Sequence, residues 1–153
     1  MGGISGADAL CSAAAGAPAK ALLVDEAGCS GSAPCRRASV TPWAGDGQLD
    51  WPLRPDALYF SLDNTTAIGF TDGRGLLAYP LFKPVRAACQ NMASGMNRDF
   101  TTRANETCGS WSFGDGAPSG IQQGVGWTCA LDEGLLDGGV VDCGENDMIC
   151  VVE

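Results

Sequence analysis

Apolar positions along this chain fall into short runs separated by Gly-, Asp- and Pro-rich turns, a rhythm that predicts many small elements rather than a few long ones. Ser5-Gly6-Ala7-Asp8 opens an alanine-rich stretch, and Ser with a carboxylate three residues on predicts a helix over 6–14, closed by Gly16 and Pro18. Ala21 to Val24 is an unbroken apolar run, as expected of a buried strand. Between Leu49 and Leu81 three runs, 58–62, 67–70 and 76–81, are divided by Asp63-Asn64-Thr65 and by Thr71-Asp72-Gly73-Arg74-Gly75, which predicts a β-meander. From Cys89 to Gly126 polar turn residues dominate, and the isolated aromatics Phe100, Trp111 and Phe113 are expected to pin loops to the core. Met148 to Val152 is a last apolar strand that has to be buried centrally, and Gly124-Val125-Gly126, with no lysine or helix after it, is expected to be a turn rather than a phosphate loop.

Eight cysteines and no histidine narrow the chemistry. An even cysteine set in a small acidic chain implies disulfides and an oxidising, extracellular setting, and Cys29 and Cys35 are expected to close their own loop. Without histidine, the usual zinc sites and Ser-His or Cys-His nucleophile pairs are missing, so a non-enzymatic binding module is expected. No apolar run approaches the roughly eighteen residues that a membrane helix requires. The start, Met1-Gly2-Gly3-Ile4, has no basic region followed by an apolar stretch, so any export signal is expected to have been removed or to lie upstream; Met1 is read as an added start on a domain taken from a longer protein.

The net charge of −9 is unevenly spread: residues 104–153 hold half of the 18 acids and none of the 9 bases. That balance opposes binding to nucleic acid or to anionic membranes. The acidic third reads either as a solvated face or as a surface for a cationic ligand or a metal ion. Its densest cluster is Asp132, Glu133, Asp137, Asp142, Glu145 and Asp147, whose spacing fits no EF-hand, so no resident metal is expected, calcium being the candidate if one binds. Asp132 and Glu133 are adjacent and therefore poorly placed to flank a glycosidic bond. The sequons at Asn64 and Asn105 mark exposed turns.

The order of landmarks carries a resemblance. Gly3-Ile4-Ser5-Gly6-Ala7-Asp8-Ala9-Leu10-Cys11, Asp50-Trp51-Pro52-Leu53 leading into Leu58-Tyr59-Phe60, Cys108-Gly109-Ser110-Trp111 and Ile149-Cys150-Val151-Val152-Glu153 resemble endostatin-type domains. They are closer still to an uncharacterised bacterial family of lectin-like surface domains, known from leptospiral surface proteins and bacterial surface fibres. The resemblance implies an α+β, C-type-lectin-like domain over residues 1–153, with short helices around a twisted antiparallel sheet and long loops, at the C-terminal tip of a longer surface protein. It implies the bridges Cys11–Cys150 and Cys108–Cys143; with Cys29–Cys35 taken from proximity, Cys89 is left with Cys129.

The resemblance also implies a function: adhesion or recognition at the bacterial cell surface by a homo-oligomer, a trimer by analogy with fibre tips, with a surface glycan or protein as partner. The Glu-Pro-Asn, Gln-Pro-Asp and Trp-Asn-Asp motifs of calcium-dependent lectins are absent, Gly139-Val140-Val141-Asp142 standing before Cys143. A binding site is therefore expected in loops between Cys108 and Cys143, with Phe113 and Trp127 as aromatic plates beside Asp115, Asp132 and Glu133. The alternative is a structural cap that registers an oligomeric stalk.

Overall fold

A computed structural model describes residues 2–25, 35–112, 119–144 and 146–152, and shows an α+β fold of one helix and small antiparallel sheets. The helix α1 spans Gly3–Ala15, three residues earlier at its start than the sequence suggests. Gly2 and Gly16, both at positive φ, bound it, and the expected Ser5–Asp8 cap is not formed. Asp8 instead turns outward from the helix to accept the Ala21 N–H at 2.9 Å and to grip the Arg36 guanidinium.

Among the described residues seven strands follow in chain order. Strand β1 (Ala19–Ala21) pairs with β7 (Cys150–Val152), and β2 (Leu58–Phe60) pairs with β3 (Ala67–Phe70) through a ladder whose register slips between Tyr59 and Phe60. The third sheet is β4 (Asn91–Ala93), β5 (Gln122–Trp127) and β6 (Gly139–Asp142), with β5 in the middle. The single twisted sheet of the sequence reading is thus divided into pieces of two, two and three strands. The closing apolar strand has one strand neighbour rather than a central place, although Val151 is buried. The run 76–81 is no strand: it hugs β3 through single bonds, Ala78 N–H to Phe70 O and Phe82 N–H to Ile68 O, because Asp72 ties the preceding turn by accepting the Arg74 and Leu76 N–H groups.

Of the run 21–24, expected as a strand, only Ala21 belongs to β1; Leu22 and Val24 make single bonds to Ile149 O and Ser94 O instead of a ladder, yet the run is buried on both faces. Ala21 and Leu23 enter one cluster with Ile4, Ala7, Cys11 and Trp111, while Leu22 and Val24 enter another with Met92, Met96, Phe100, Leu135 and Leu136. Alternating residues of an extended segment point to opposite sides, so this segment serves as the partition between two cores. Gly124 and Gly126 are not a turn. They lie inside β5 because the neighbouring chain needs the room: a Cβ on Gly126 would stand 1.6 Å from the Leu135 carbonyl oxygen, and one on Gly124 2.7 Å from the Arg103 side chain.

Three bridges are seen: Cys11–Cys150, Cys89–Cys129 and Cys108–Cys143. Cys35 is also disulfide-bonded, and Cys29 lies outside the described residues. Cys108–Trp111 forms one left-handed turn, all four residues having φ between 49° and 58°. Three of them are not glycine, for which this conformation costs about 1–2 kcal/mol each. The turn is held by the bridge from Cys108 and by the fully buried Trp111, whose indole N–H donates to Val24 O at 2.9 Å. Trp111 and Phe100 thus pin loops as expected, while Phe113 lies outside the described residues.

Three of the nine acids in the last third meet arginines in space. Arg103 pairs with Glu106 at 2.6 Å and Asp137 at 2.5 Å, Arg98 also reaches Asp137, and Arg86 reaches Asp147. Arg36 is fully buried and bonded to Asp8, Asp50 and the Ala21 carbonyl. Burial works against the charged forms here, but the hydrogen bonds outweigh it, raising the Arg36 pKa and lowering that of Asp50.

Two outcomes are expected. Cys11–Cys150 closes a separation of 139 residues, against 40 for Cys89–Cys129. Chain entropy assigns about 5 and about 4 kcal/mol respectively. Urea unfolding should therefore show a lower midpoint for the Cys11→Ser/Cys150→Ser pair than for the Cys89→Ser/Cys129→Ser pair. Secondly, Asp46, Asp50, Asp63 and Asp72 all titrate below the ordinary 3.8, Asp46 at about 2 because Thr41 donates to it through backbone and side chain. Depressed carboxyl pKa values stabilise the fold above pH 3.8 and lose that contribution as pH falls through the folded values, so Tm should be flat near neutrality and drop below pH 3.8. Asp50→Asn should lower Tm at neutral pH and flatten the acid limb.

Candidate functional site

Four separate segments meet at an open cleft of about 320 Å³, lined by Trp43, Asp72, Arg74, Leu76, Leu77, Ala78, Tyr79, Phe100 and Glu133. Trp43 sits in a strap held by Asp46, which accepts the Val40 and Thr41 N–H groups and the Thr41 hydroxyl. The Trp43 backbone is left-handed, φ 61°, and its N–H donates to Asp99 O at 3.0 Å. These bonds fix an indole that stays 42% exposed at the rim while its ring meets Phe100 edge-on, centroids 5.7 Å apart. Tyr79 stacks on the same Phe100 at 6.3 Å. The result is an aromatic wall anchored by a buried ring.

The polar side of the cleft is equally ordered. Arg74 is bound to Asp72 through Nε and Nη2, and its Nη1 donates to the Trp43 carbonyl at 2.5 Å. One guanidinium therefore joins the Asp72 turn to the Trp43 strap, its charge paired with Asp72. Glu133 arrives from a short 3-10 turn, Glu133–Leu135, whose N-cap Asp132 accepts the Gly134 N–H at 2.9 Å. The Glu133 carboxylate has no hydrogen-bond or ion-pair partner among the described residues. The Tyr79 hydroxyl is buried without a hydrogen-bond partner. Burial, and after it the charges of Glu133 and Asp132, push its pKa far above the usual phenol value, so it is a neutral O–H at any physiological pH.

Of the residues singled out from the sequence, Glu133 lines this cleft and Asp132 caps the turn that carries it. Trp127 lies elsewhere, at the end of β5 with its indole against Gly138, where an added Cβ would meet Nε1 at 2.3 Å. Phe113 and Asp115 lie outside the described residues, as does Glu145. Asp137 and Asp147 are committed to arginines, Asp142 belongs to β6, and among the described residues no group of three or more His, Cys, Asp or Glu is set to hold a metal ion. The sequence reading missed Trp43, Tyr79 and Arg74. A signal existed for Trp43: it stands in Pro42-Trp43-Ala44-Gly45-Asp46-Gly47, an aromatic among turn formers, the same pattern that marked Phe100 and Trp111.

A family model matches residues 1–126, and the chain belongs to that family, described as proteins of unknown function (DUF1554). No curated protein matches the chain, and no solved structure matches it. The resemblance drawn from the sequence is thereby carried as far as an uncharacterised family, with no word on lectins or endostatin. No helix among the described residues is long and apolar enough to cross a membrane.

Tyr79→Phe removes a buried hydroxyl that bonds to nothing in the protein, so it should leave stability unchanged or raise it by up to about 1 kcal/mol. Thermal unfolding of the two forms checks this; a loss of stability would mean that the hydroxyl is satisfied.

Proposed function

We propose that this chain is a non-catalytic recognition domain of C-type-lectin-like type, which acts outside the cell at a bacterial surface and holds a glycan in the Trp43 cleft. The observation that carries this reading is the pairing of an exposed, immobilised indole with an unengaged carboxylate across one opening. A sugar ring offers an apolar C–H face to an aromatic plate and hydroxyls to acceptors at its edge, and concave sites with few, fixed polar groups suit such ligands. Disulfides fit an oxidising location. The site differs from the one expected between Cys108 and Cys143, since only Glu133 comes from that part of the chain.

A second reading, a cap that registers an oligomeric stalk as a trimer, is favoured by a different surface. Leu58 and Phe70 face each other across the β2–β3 ladder, and with Phe60 and Phe82 they are about half-exposed; Phe70 and Phe82 stack at 5.8 Å. An apolar ribbon of this kind is more typical of an interface than of a free surface.

On a glycan array, the intact chain should bind at least one surface polysaccharide, and Trp43→Ala should reduce that binding at least about tenfold while leaving Tm within a few degrees. No glycan bound, together with a Phe60→Asp variant that turns a trimer in light scattering into a monomer, would replace the first reading with the second.

A further inference from the structure

Of the three residues that bring formal charge to the cleft lining, Asp72 and Arg74 neutralise each other and Glu133 stands alone. The cleft therefore presents one uncompensated negative charge, with Asp132 adding a second just behind it. Burial is the main cause of the raised Tyr79 pKa, and the nearby carboxylates of Glu133 and then Asp132 add to it with the same sign. A half-buried carboxylate beside aromatic faces is a poor host for an anionic or acetylated group. It suits a cation, which gains from the ring quadrupoles and from a charge-assisted hydrogen bond at once.

Resting on the glycan reading above, we propose that the cleft selects a sugar unit bearing a free amino group, its ammonium held by the Glu133 carboxylate and its ring laid on Trp43. Trp43 and Tyr79, both packed on Phe100, supply the aromatic wall. The Arg74 guanidinium is ion-paired with Asp72 and also donates to the Trp43 carbonyl, so its charge is compensated beside the ligand. A uronic acid or a sulfated sugar is repelled, and an N-acetylated unit loses the charge that Glu133 pairs with.

Calorimetric titration of the intact chain at about pH 6, where a sugar amine is protonated, compares the glucosamine disaccharide with its N,N′-diacetyl form, with cellobiose and with Nα-acetyl-lysine amide. The expected result is binding of the amino disaccharide at least about tenfold tighter than of the other three. Glu133→Gln should abolish that preference without changing Tm, whereas Asp142→Asn, which removes the same charge from a residue outside the cleft lining, should keep it. Equal binding of all three sugars overturns the ammonium selectivity and leaves the glycan reading standing. Binding of the lysine amide with no sugar bound overturns both, and a preference that survives Glu133→Gln overturns the assignment to this cleft.

Discussion

The structure depends on a charge taken out of water. Arg36 has no exposed surface, and its guanidinium ties Asp8 on α1, the Ala21 carbonyl on β1 and Asp50, which also binds Lys20 at 2.6 Å. Desolvating such an ion is compensated only if its donors are met, and removing one partner of a buried pair costs about 3–5 kcal/mol. These bonds set α1 against β1, and β1 in turn positions the apolar segment that divides the two cores. The arrangement suits a chain whose sheets are too small to organise the fold through backbone ladders alone.

Side chains do elsewhere what strands do in larger sheets. Asp46 and Asp72 each gather several donors to build a turn, and Arg74 links the two turns. Ser94 donates to the Leu136 carbonyl, and Trp111 to Val24, so irregular backbone is satisfied without regular structure. The cleft is a by-product of that method. Its aromatic wall exists because Trp43 and Tyr79 both pack on Phe100, a buried anchor between segments far apart in the chain.

Much of the fold was legible in local pattern: the alanine-rich helix, the doubly buried run at 21–24, the strands at 58 and 67, and the anchoring roles of Phe100 and Trp111. Cys11–Cys150 and Cys108–Cys143 were reachable only through the resemblance, and Cys89–Cys129 only by elimination after it, because spacing does not choose among pairings. What stayed hidden was long-range. The acidic last third gives no hint that Arg86, Arg98 and Arg103 lie against it, and Gly124 and Gly126 look like a turn until Leu135 and Arg103 are seen pressing on β5. The cleft stayed hidden for the same reason, its four segments being separated by tens of residues.

The Cys11–Cys150 bridge has a mechanical meaning. Its two Cα atoms are 5.3 Å apart, so tension applied to the chain on either side of this pair crosses a covalent bond and bypasses the 139-residue separation between them. A domain held this way keeps its shape under a pull that would strip an unbridged one strand by strand. Reduction of one bond turns a static link into an extensible one, so the oxidation state of a single cysteine pair decides whether the domain keeps its shape under load.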